Sequence, residues 1–485
     1  MSAAPDERAF RSIAVAGAGI VGLSAALAFA RALPWARVEL VETAPEPAAL
    51  ADRMPGTLPP VGRFHAAIGL DELDLVRRGI AVHRLGTRFE HWAADGRPWY
   101  HVNGEYGFSI GPVGFGDLWP EAERRKRARP FHRYSPAAMI AEADKFVHPE
   151  ERAGSPLATY LYALALDPDA YRGRLEEQAV AARIVRTGGE LLDVERRQDG
   201  GLAALRLSGD RRVEGELFLD CTGPSARLIG AVDDGFEDWG AWLPADRIAV
   251  AEDSGEPSPV DVASATPDGW RWRGSAGRRT LRAELTAGGD GVAIRPGRRP
   301  RPFARNVLAL GDAATAVDPL HCANLDLAQS AILRALELLP GRDCHPIEVA
   351  EYNRRSGQET SRVRDFLALH YLRSGRAEGD FWRDLADRAP PDSLAHTLEQ
   401  FEARGRLPFY EEETFDKSSW LAALLGLGVR PRHLNPAAAG FDPEQAMGAM
   451  EAYAGQLAAL PPRLPPYRDY LARMAGLATA SRPPA

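Results

Sequence analysis

The sequence predicts an α/β protein in which a domain built on a parallel sheet is interrupted by a mixed α+β domain and followed by a helical region. Three short apolar runs end at a glycine, at Gly17, Gly223 and Gly311, as buried strands that enter a loop commonly do. A helix-like segment follows the first and the third run, which favours βαβ connections. With 485 residues, the chain is long enough for two to three domains.

The first strand-to-glycine junction has the pattern of a dinucleotide site. Gly17, Gly19 and Gly22 fit G-x-G-x-x-G, and these glycines allow a turn, close approach of a pyrophosphate and packing of helix on strand. Glu42 follows about twenty residues later, where an acid accepts hydrogen bonds from a ribose hydroxyl. A purely structural βαβ turn is the alternative. The residues predicted to bind the cofactor here are Gly17, Ala18, Gly19, Val21, Gly22 and Glu42.

The third junction adds an acid to the predicted site. The apolar run 306–310 ends at Gly311, and Asp312 follows directly. If the three strands join one parallel sheet, ligands bind beyond their carboxyl ends, where Asp312 could accept hydrogen bonds from ribityl or ribose hydroxyls. This arrangement suits an extended dinucleotide, so FAD is favoured over NAD. An ordinary turn at Gly311 and Asp312 is the alternative.

Composition excludes several classes of function. A net charge of −8 argues against a general nucleic-acid or anionic-membrane surface, and no apolar run is long enough to span a membrane. The first ten residues carry two acids and no apolar core, so we expect no secretory signal and a cytoplasmic protein. Cys221, Cys322 and Cys344 lack a C-x-x-C spacing, so no disulfide framework or metal site is predicted.

The stretches between the junctions give the remaining elements. Residues 168–181 predict a helix with Asp167 as its N-cap, and 192–196, 202–207 and 217–220 predict a β-meander. Residues rich in aromatics, glycine and proline, from 95 to about 156, suit a wall that faces substrate. The predicted FAD domain comprises residues 1–45, 176–230 and 301–345, the substrate domain 46–175 and 231–300, and the helical C-terminal region 346–485.

Several distinctive short motifs follow one another along nearly the whole chain. After the N-terminal fingerprint, these motifs are Gly69-Leu-Asp-Glu72, 84–92, 218–223, Trp270-x-Trp272, 306–320, Tyr352-Asn-Arg, 364–371 and 381–383. In these motifs the chain resembles the FAD-dependent tryptophan-halogenase-like proteins, relatives of the single-component flavin aromatic hydroxylases. The resemblance implies a Rossmann-like FAD domain of the glutathione-reductase type, reduced FAD and oxygen as reactants, and a small aromatic, indole-like substrate. It also makes a separate NAD(P)H-dependent flavin reductase a candidate partner.

The chain departs from the halogenase pattern where halogen would be handled. In the resembled family, a lysine relays halogen from hypohalous acid and a glutamate follows Pro-Leu; here those positions hold Arg84 and His321. A guanidinium is a permanently charged planar fork that cannot easily carry halogen or donate one directed proton. The family's Ser-Thr-Gly becomes 322–324, with Ala323 and Asn324 assigned to the cofactor loop. Its Trp-x-Trp-x-Ile-Pro is only half preserved.

These departures favour a flavin monooxygenase or oxidase over lysine-mediated halogenation. In this hypothesis Arg84 holds an anionic or polar substrate group, His321 manages a proton, and Trp270 and Trp272 form an aromatic substrate wall. The alternatives are a genuine halogenase with a different relay residue and a flavin-binding protein without turnover. The oligomeric state stays open, a homodimer included.

Each of these residues also has a structural alternative. Arg84 could pair with a carboxylate such as Asp71 or Glu72, and His321 could be a satisfied loop histidine. Trp270 and Trp272 are separated by two positions, so in a strand they share one face and could be core residues.

Overall fold

The computed structural model describes residues 7–111, 113–376, 378–433, 435–436 and 442–480. The first six residues, where we expect no secretory signal, and the last five lie outside the described residues. Within the described part of the chain, no helix is long and apolar enough to cross a membrane.

The helices, in chain order, are α1 Ile20–Ala32, α2 Val61–Ile68, α3 Glu72–Arg77, α4 Phe115–Arg124, α5 Pro136–Glu142, α6 Pro168–Ala181, α7 Ile229–Val232, α8 Ala323–Glu337, α9 Pro346–Leu372, α10 Asp380–Ala386, α11 Asp392–Arg404, α12 Lys417–Gly426, α13 Pro443–Ala458 and α14 Tyr467–Ala480. The strands are β1 Ser12–Ala16, β2 Arg37–Glu42, β3 Ala81–Arg84, β4 Gly86–Glu90, β5 Trp99–Val102, β6 Ala163–Leu166, β7 Val185–Gly188, β8 Leu191–Arg196, β9 Leu202–Leu207, β10 Arg211–Glu214, β11 Leu217–Asp220, β12 Glu237–Asp238, β13 Arg247–Asp253, β14 Val260–Thr266, β15 Gly269–Ala276, β16 Arg279–Thr286, β17 Val292–Ala293, β18 Gly297–Arg298, β19 Phe303–Ala304, β20 Val307–Ala309 and β21 Thr315–Ala316.

The chain forms two compact units, each assembled from three segments. The first unit consists of the described residues of Met1–Leu75, Leu166–Gly240 and Gly291–Ser361. The second consists of those of Val76–Ala165, Ala241–Asp290 and Arg362–Ala485. The boundaries predicted from the sequence are finer than these two units, and they remain predictions.

A six-stranded sheet in the order β19-β20-β11-β1-β2-β7 forms the centre of the first unit. Every neighbouring pair is parallel except β19 and β20 at one edge. The strands that end at the three glycine junctions, β1, β11 and β20, lie side by side, as the sequence predicts. Backbone amides continue this pairing past the strand ends, since Cys221 N donates to Ala16 O and Leu310 N to Asp220 O, both at 2.9 Å.

Helix α6 confirms the prediction for residues 168–181. It begins at Pro168, and the Asp167 carboxylate accepts hydrogen bonds from the amides of Asp169 and Ala170 at 3.2 Å. Proline in the first turn costs no hydrogen bond, because its missing N–H has no partner inside a helix at that position.

The predicted β-meander is wrong in its last strand. Residues 217–220 form β11, a central strand of the parallel sheet, while β10, Arg211–Glu214, pairs with β9 to complete the meander. The burial of these segments explains the difference. All four residues of β11 are buried, as suits a strand covered on both faces, whereas three of the four residues of β10 are exposed.

The second unit is built on a mixed sheet with the strand order β13-β16-β15-β14-β4-β5. β14 pairs parallel with β4 and antiparallel with β15, so β14 joins a hairpin-connected run to β4 and β5. Strands β3 and β6 pair in a small separate sheet. Four strands between residues 236 and 301, β13 to β16, are seven or eight residues long, and β15 carries both tryptophans of the Trp270-x-Trp272 string.

Candidate functional site

Two glycines of the fingerprint are required by their surroundings. Gly17 has φ +117°, and a Cβ atom added there would lie 2.2 Å from the Cys221 carbonyl oxygen. A Cβ atom at Gly22 would lie 1.8 Å from the Gly17 carbonyl oxygen. Both distances are far below contact, so any other residue would push β1, α1 and the β11 junction apart. The turn between β1 and α1 therefore has the close approach that the sequence predicts.

Glu42 lies at the carboxyl end of β2, where the acid of the pattern belongs. Its side chain is about one-third exposed and forms an ion pair with Arg186 on the neighbouring strand β7. The position suits contact with a ribose, and the partner arginine orients the carboxylate.

Asp312 is buried in the turn that follows β20. Its Oδ2 accepts a hydrogen bond from the Ala51 amide at 2.9 Å, while Oδ1 is buried without a hydrogen-bond partner among the described residues. Burial raises the pKa of Asp312 to about 7, and the neighbouring Asp52 adds to this. An orphaned carboxylate oxygen at this edge of the sheet fits the predicted role of Asp312 as an acceptor for a hydroxyl group.

A second buried carboxylate, Asp52, was missed by the sequence analysis. It ends the short 3-10 turn Leu50–Asp52, and its Oδ1 accepts a hydrogen bond from the Val21 amide at 2.9 Å. A Cβ atom at Gly19 would lie only 2.4 Å from this oxygen. Burial raises the pKa of Asp52 to about 6, although hydrogen bonds from the amides of Val21 and Ile20 oppose the rise. No local pattern marks Asp52, since it lies in a proline-rich stretch without periodicity.

These residues allow the fit of a dinucleotide to be tested. The required glycines, the acid after β2 and the orphaned oxygen of Asp312 all fit FAD at the carboxyl edge of the sheet. Asp52 is the exception, because its carboxylate lies on the α1 amides where a pyrophosphate would bind. The cradle therefore fits the cofactor once Asp52 has moved.

His321 lies in the loop that leads into α8. It is buried, and the residue after it, Cys322, has φ +59° and precedes the first residue of the helix, Ala323. Asn324 holds this loop, since its Nδ2 donates a hydrogen bond to the Val317 carbonyl at 2.7 Å. Asn324 Oδ1 is buried without a partner among the described residues, which leaves an acceptor at the start of α8.

Arg84 lies in the second unit, where its guanidinium forms an ion pair and a hydrogen bond with neighbouring side chains. Its Nε lies 2.6 Å from Oδ2 of Asp261 and its Nη2 donates to Thr87 Oγ1 at 2.9 Å. Arg84 and Asp261 are both buried. The partner is thus a carboxylate, as the structural alternative expected, and it is Asp261 on β14, which that alternative did not name.

Gly274 is coupled to this ion pair. A Cβ atom at Gly274 would lie 2.2 Å from Asp261 Oδ1 and 2.4 Å from Trp272 Cζ2. Gly274 stands where the resembled family has isoleucine, and no side chain fits beside Asp261. The replacements at positions 84 and 274 therefore belong to one arrangement centred on Asp261.

Trp270 and Trp272 are core residues of the second unit, and both are buried. Trp270 Nε1 donates to the Tyr371 hydroxyl at 2.9 Å, and its ring meets Trp92 edge-on at 5.9 Å between centroids. Trp272 Nε1 has no hydrogen-bond partner among the described residues. Both rings share one face of β15, as their spacing predicts, and that face is packed.

A cavity of about 480 Å³ in the second unit offers a different aromatic wall. It is lined by residues of β5, α4, α12 and the segments beside them, and its aromatic members are Trp99, Tyr100, Trp119, Phe131 and His132. All five lie within residues 95–156, the stretch predicted to face substrate. The sequence marked this stretch by composition, but it did not single out any of these side chains.

The fold and the site together define a class: an α/β protein with a Rossmann-like FAD-binding domain and a substrate-binding domain. Comparison with known proteins makes the class specific. The sequence model of the family described as tryptophan halogenase matches residues 12–281 and 275–443. The chain belongs to this family, whose members are enzymes.

Relatives of known structure agree with this assignment. BrvH, a flavin-dependent halogenase from Brevundimonas sp. BAL3, superposes with a TM-score of 0.90 at 30% identity, covering 96% of this chain and 100% of that one. Xcc4156, a flavin-dependent halogenase from Xanthomonas campestris, gives a TM-score of 0.88 at 31% identity, covering 96% and 99%. The tryptophan 6-halogenase SttH of Streptomyces toxytricini is 26% identical in sequence over 86% of this chain and 90% of its own length.

Proposed function

We propose that this protein is an FAD-dependent monooxygenase that acts on a small aromatic, indole-like compound without lysine-mediated halogenation. The observation that carries the proposal is the buried ion pair of Arg84 with Asp261. The position that corresponds to the halogen-relaying lysine holds a group that is permanently charged, buried and hydrogen-bonded. Such a group has no free amine to take up halogen. In this proposal Arg84 is a positioning residue that holds Asp261. It does not make the substrate contact that the sequence predicted.

The proposal gives the residues of the first unit specific tasks. FAD, when bound, supplies activated oxygen. The glycine turn after β1 and the amides of α1 hold its diphosphate, while Glu42 and Asp312 accept hydrogen bonds from its hydroxyl groups. His321 is the candidate for holding a proton during the reaction, because it is the imidazole of the loop that leads into α8 and a neutral imidazole can both donate and accept a proton.

Reduced flavin is proposed to come from a separate NAD(P)H-dependent flavin reductase. The chain carries a single dinucleotide fingerprint, at Gly17 to Gly22, which is assigned to FAD. In this proposal the partner enzyme, and not this chain, binds and oxidises NAD(P)H. We also propose a cytoplasmic location, where such a reductase and NAD(P)H occur together.

Halogenation is the second candidate function, and it has an observation of its own. BrvH and Xcc4156, which are described as flavin-dependent halogenases, share 30% and 31% identity with this chain and superpose over almost its whole length. A halogenase of this sequence would need a relay residue other than Arg84.

Oxygen uptake distinguishes the candidates. Purified protein is supplied with FAD, a flavin reductase, NADH and a panel of indoles, in the presence and absence of chloride or bromide. A monooxygenase shows substrate-stimulated uptake and product formation without halide, and a strict halide requirement would contradict the proposal. Tight FAD binding without product from any aromatic compound would favour a flavin-binding protein without turnover.

A double variant tests whether the lysine and the glutamate of the halogenase pattern would give this chain halogenating activity. If the remaining scaffold still resembles a halogenase, Arg84→Lys combined with His321→Glu should introduce halide-dependent product. The control is Arg84→Lys alone, which keeps a cation beside Asp261 but lacks the glutamate. Halogenated product from the unchanged protein would contradict the proposed function.

A further inference from the structure

The carboxylate of Asp52 takes the place that a diphosphate needs. The first N–H groups of a helix have no partner inside the helix, and together with the helix dipole they attract an anion. In a dinucleotide fingerprint that anion is the pyrophosphate. Here Gly19 offers no capping side chain, and Asp52 Oδ1 accepts the Val21 amide at 2.9 Å instead. One oxygen cannot share this position with a phosphate oxygen.

The turn that carries Asp52 is held in place by the rest of the site. The Asp52 amide donates to the Ala49 carbonyl at 3.1 Å, and the Ala51 amide donates to Asp312 Oδ2 at 2.9 Å. Arg53 Nε adds a hydrogen bond to the Glu46 carbonyl at 2.9 Å. Asp52 is thus presented to α1 by a defined turn, and moving it requires this turn to rearrange.

We propose that Asp52 is a built-in competitor of the flavin diphosphate, so that FAD binds this chain only when Asp52 leaves the N-terminus of α1. This inference rests on the proposed function, since it assumes that FAD is the ligand of the cradle. Its consequence is an exchangeable cofactor. The return of Asp52 to the α1 amides would weaken the hold of the cradle on the diphosphate.

The charges around Asp52 predict how pH changes the competition. Asp312 faces it from the turn after β20, Cys221 from the end of β11, Arg172 from α6, and Arg53 is its neighbour in the chain. The two arginines only partly offset two carboxylates beside a diphosphate. The pKa of Asp52 is raised to about 6 and that of Asp312 to about 7, mainly by burial. Lowering the pH through this range neutralises both while the diphosphate stays anionic, so FAD should bind more tightly.

Titration of the apoprotein with FAD, followed by flavin fluorescence, tests the inference without any turnover. Wild-type protein should bind FAD about tenfold more tightly at pH 5.5 than at pH 8. Asp52→Asn, which keeps the size of the side chain but removes its charge, should bind about tenfold more tightly than wild type at pH 8 and show a weaker pH dependence. Asp52→Ser is a second variant that can still cap α1 and guards against a folding defect.

Asp343→Asn is the matched control, because it removes one exposed negative charge from the same unit. It should bind FAD like the wild type. Equal affinities of wild type and both Asp52 variants at both pH values would overturn the inference. Weaker binding by the folded Asp52 variants would also overturn it, since Asp52 would then help to hold the cofactor. Absence of FAD binding by every protein at either pH would contradict the proposed function itself.

Discussion

The guanidinium of Arg84 and the carboxylate of Asp261 meet at 2.6 Å in the core of the second unit, with side chains no more than 3% exposed. Coulomb attraction is strong in such surroundings, but each charge has lost its hydration. The pair is therefore mutually dependent. Removing either charge leaves the other buried without compensation, which is worse for stability than removing both.

A double-mutant cycle should reveal this dependence. Asp261→Asn should lower the free energy of unfolding by about 3–5 kcal/mol, because it leaves Arg84 buried without its counter-ion. Arg84→Met combined with Asp261→Asn should cost less than the sum of the two single changes. Chemical denaturation of the four proteins measures the coupling. Additive effects would show that the two side chains do not depend on each other.

Gly274 should tolerate a side chain only when Asp261 is shortened. Gly274→Val places methyl groups against Asp261 and Trp272 and should lower the melting temperature by several degrees, as overpacking by about 1–3 kcal/mol does. Asp261→Ala in the same chain should recover part of the loss, provided that Arg84→Met removes the unpaired cation. Thermal unfolding is the measurement, and an unchanged melting temperature for Gly274→Val alone would contradict the close contact.

Trp270 should affect stability more than substrate binding. Trp270→Phe removes ring volume and the hydrogen bond to the Tyr371 hydroxyl, so we expect a loss of about 1–3 kcal/mol of stability. The exposed Trp35 is a suitable control, and Trp35→Phe should be neutral. A stable Trp270→Phe protein with a selectively raised KM for the aromatic substrate would contradict this expectation. It would support the prediction from the sequence that Trp270 contacts the substrate.

Asp326 should make the apoprotein less stable as the pH rises. Burial, and then the charge of Glu359, raise the pKa of Asp326 on α8 to about 7, well above the value of an unfolded aspartate. A raised carboxyl pKa stabilises the fold fully at low pH, and this stabilisation is lost as the pH rises through about 7. Asp326→Asn should therefore gain stability relative to wild type between pH 5 and pH 8, by at most about 3 kcal/mol.

Urea unfolding of both proteins at the two pH values measures this difference. The exposed carboxylate of Asp343 gives the control, because Asp343→Asn should shift stability equally at both pH values. A constant difference between wild type and Asp326→Asn across the range would show that Asp326 is ionised in the fold at pH 5.

The sequence predicted those parts of the fold that short-range patterns encode. The fingerprint from Gly17 to Gly22 is a short-range pattern, although Gly17 is also required by the distant Cys221 carbonyl, and helix α6 begins at its predicted cap, Asp167. β11 was misplaced because its position depends on parallel pairing with strands far away in the chain. A meander is the default when only neighbouring strands are considered.

The same limit explains what was missed in the candidate site. Asp261 is 177 residues from Arg84, and nothing near either residue in the chain marks the pair. Asp52 reaches the α1 amides from a proline-rich stretch, where no periodicity predicts the direction of a side chain. Family resemblance supplied the positions of Arg84 and His321, but only the folded structure shows that Arg84 is held by a buried partner.

The most direct test of the central claim is the mass of the product formed from an indole by the purified protein with FAD, a flavin reductase and NADH. The reaction is run with and without chloride or bromide. We predict a product that has gained one oxygen atom and is formed equally in both cases. A product with the isotope pattern of chlorine or bromine would contradict the account, because it would show that halogen is delivered without a lysine at position 84.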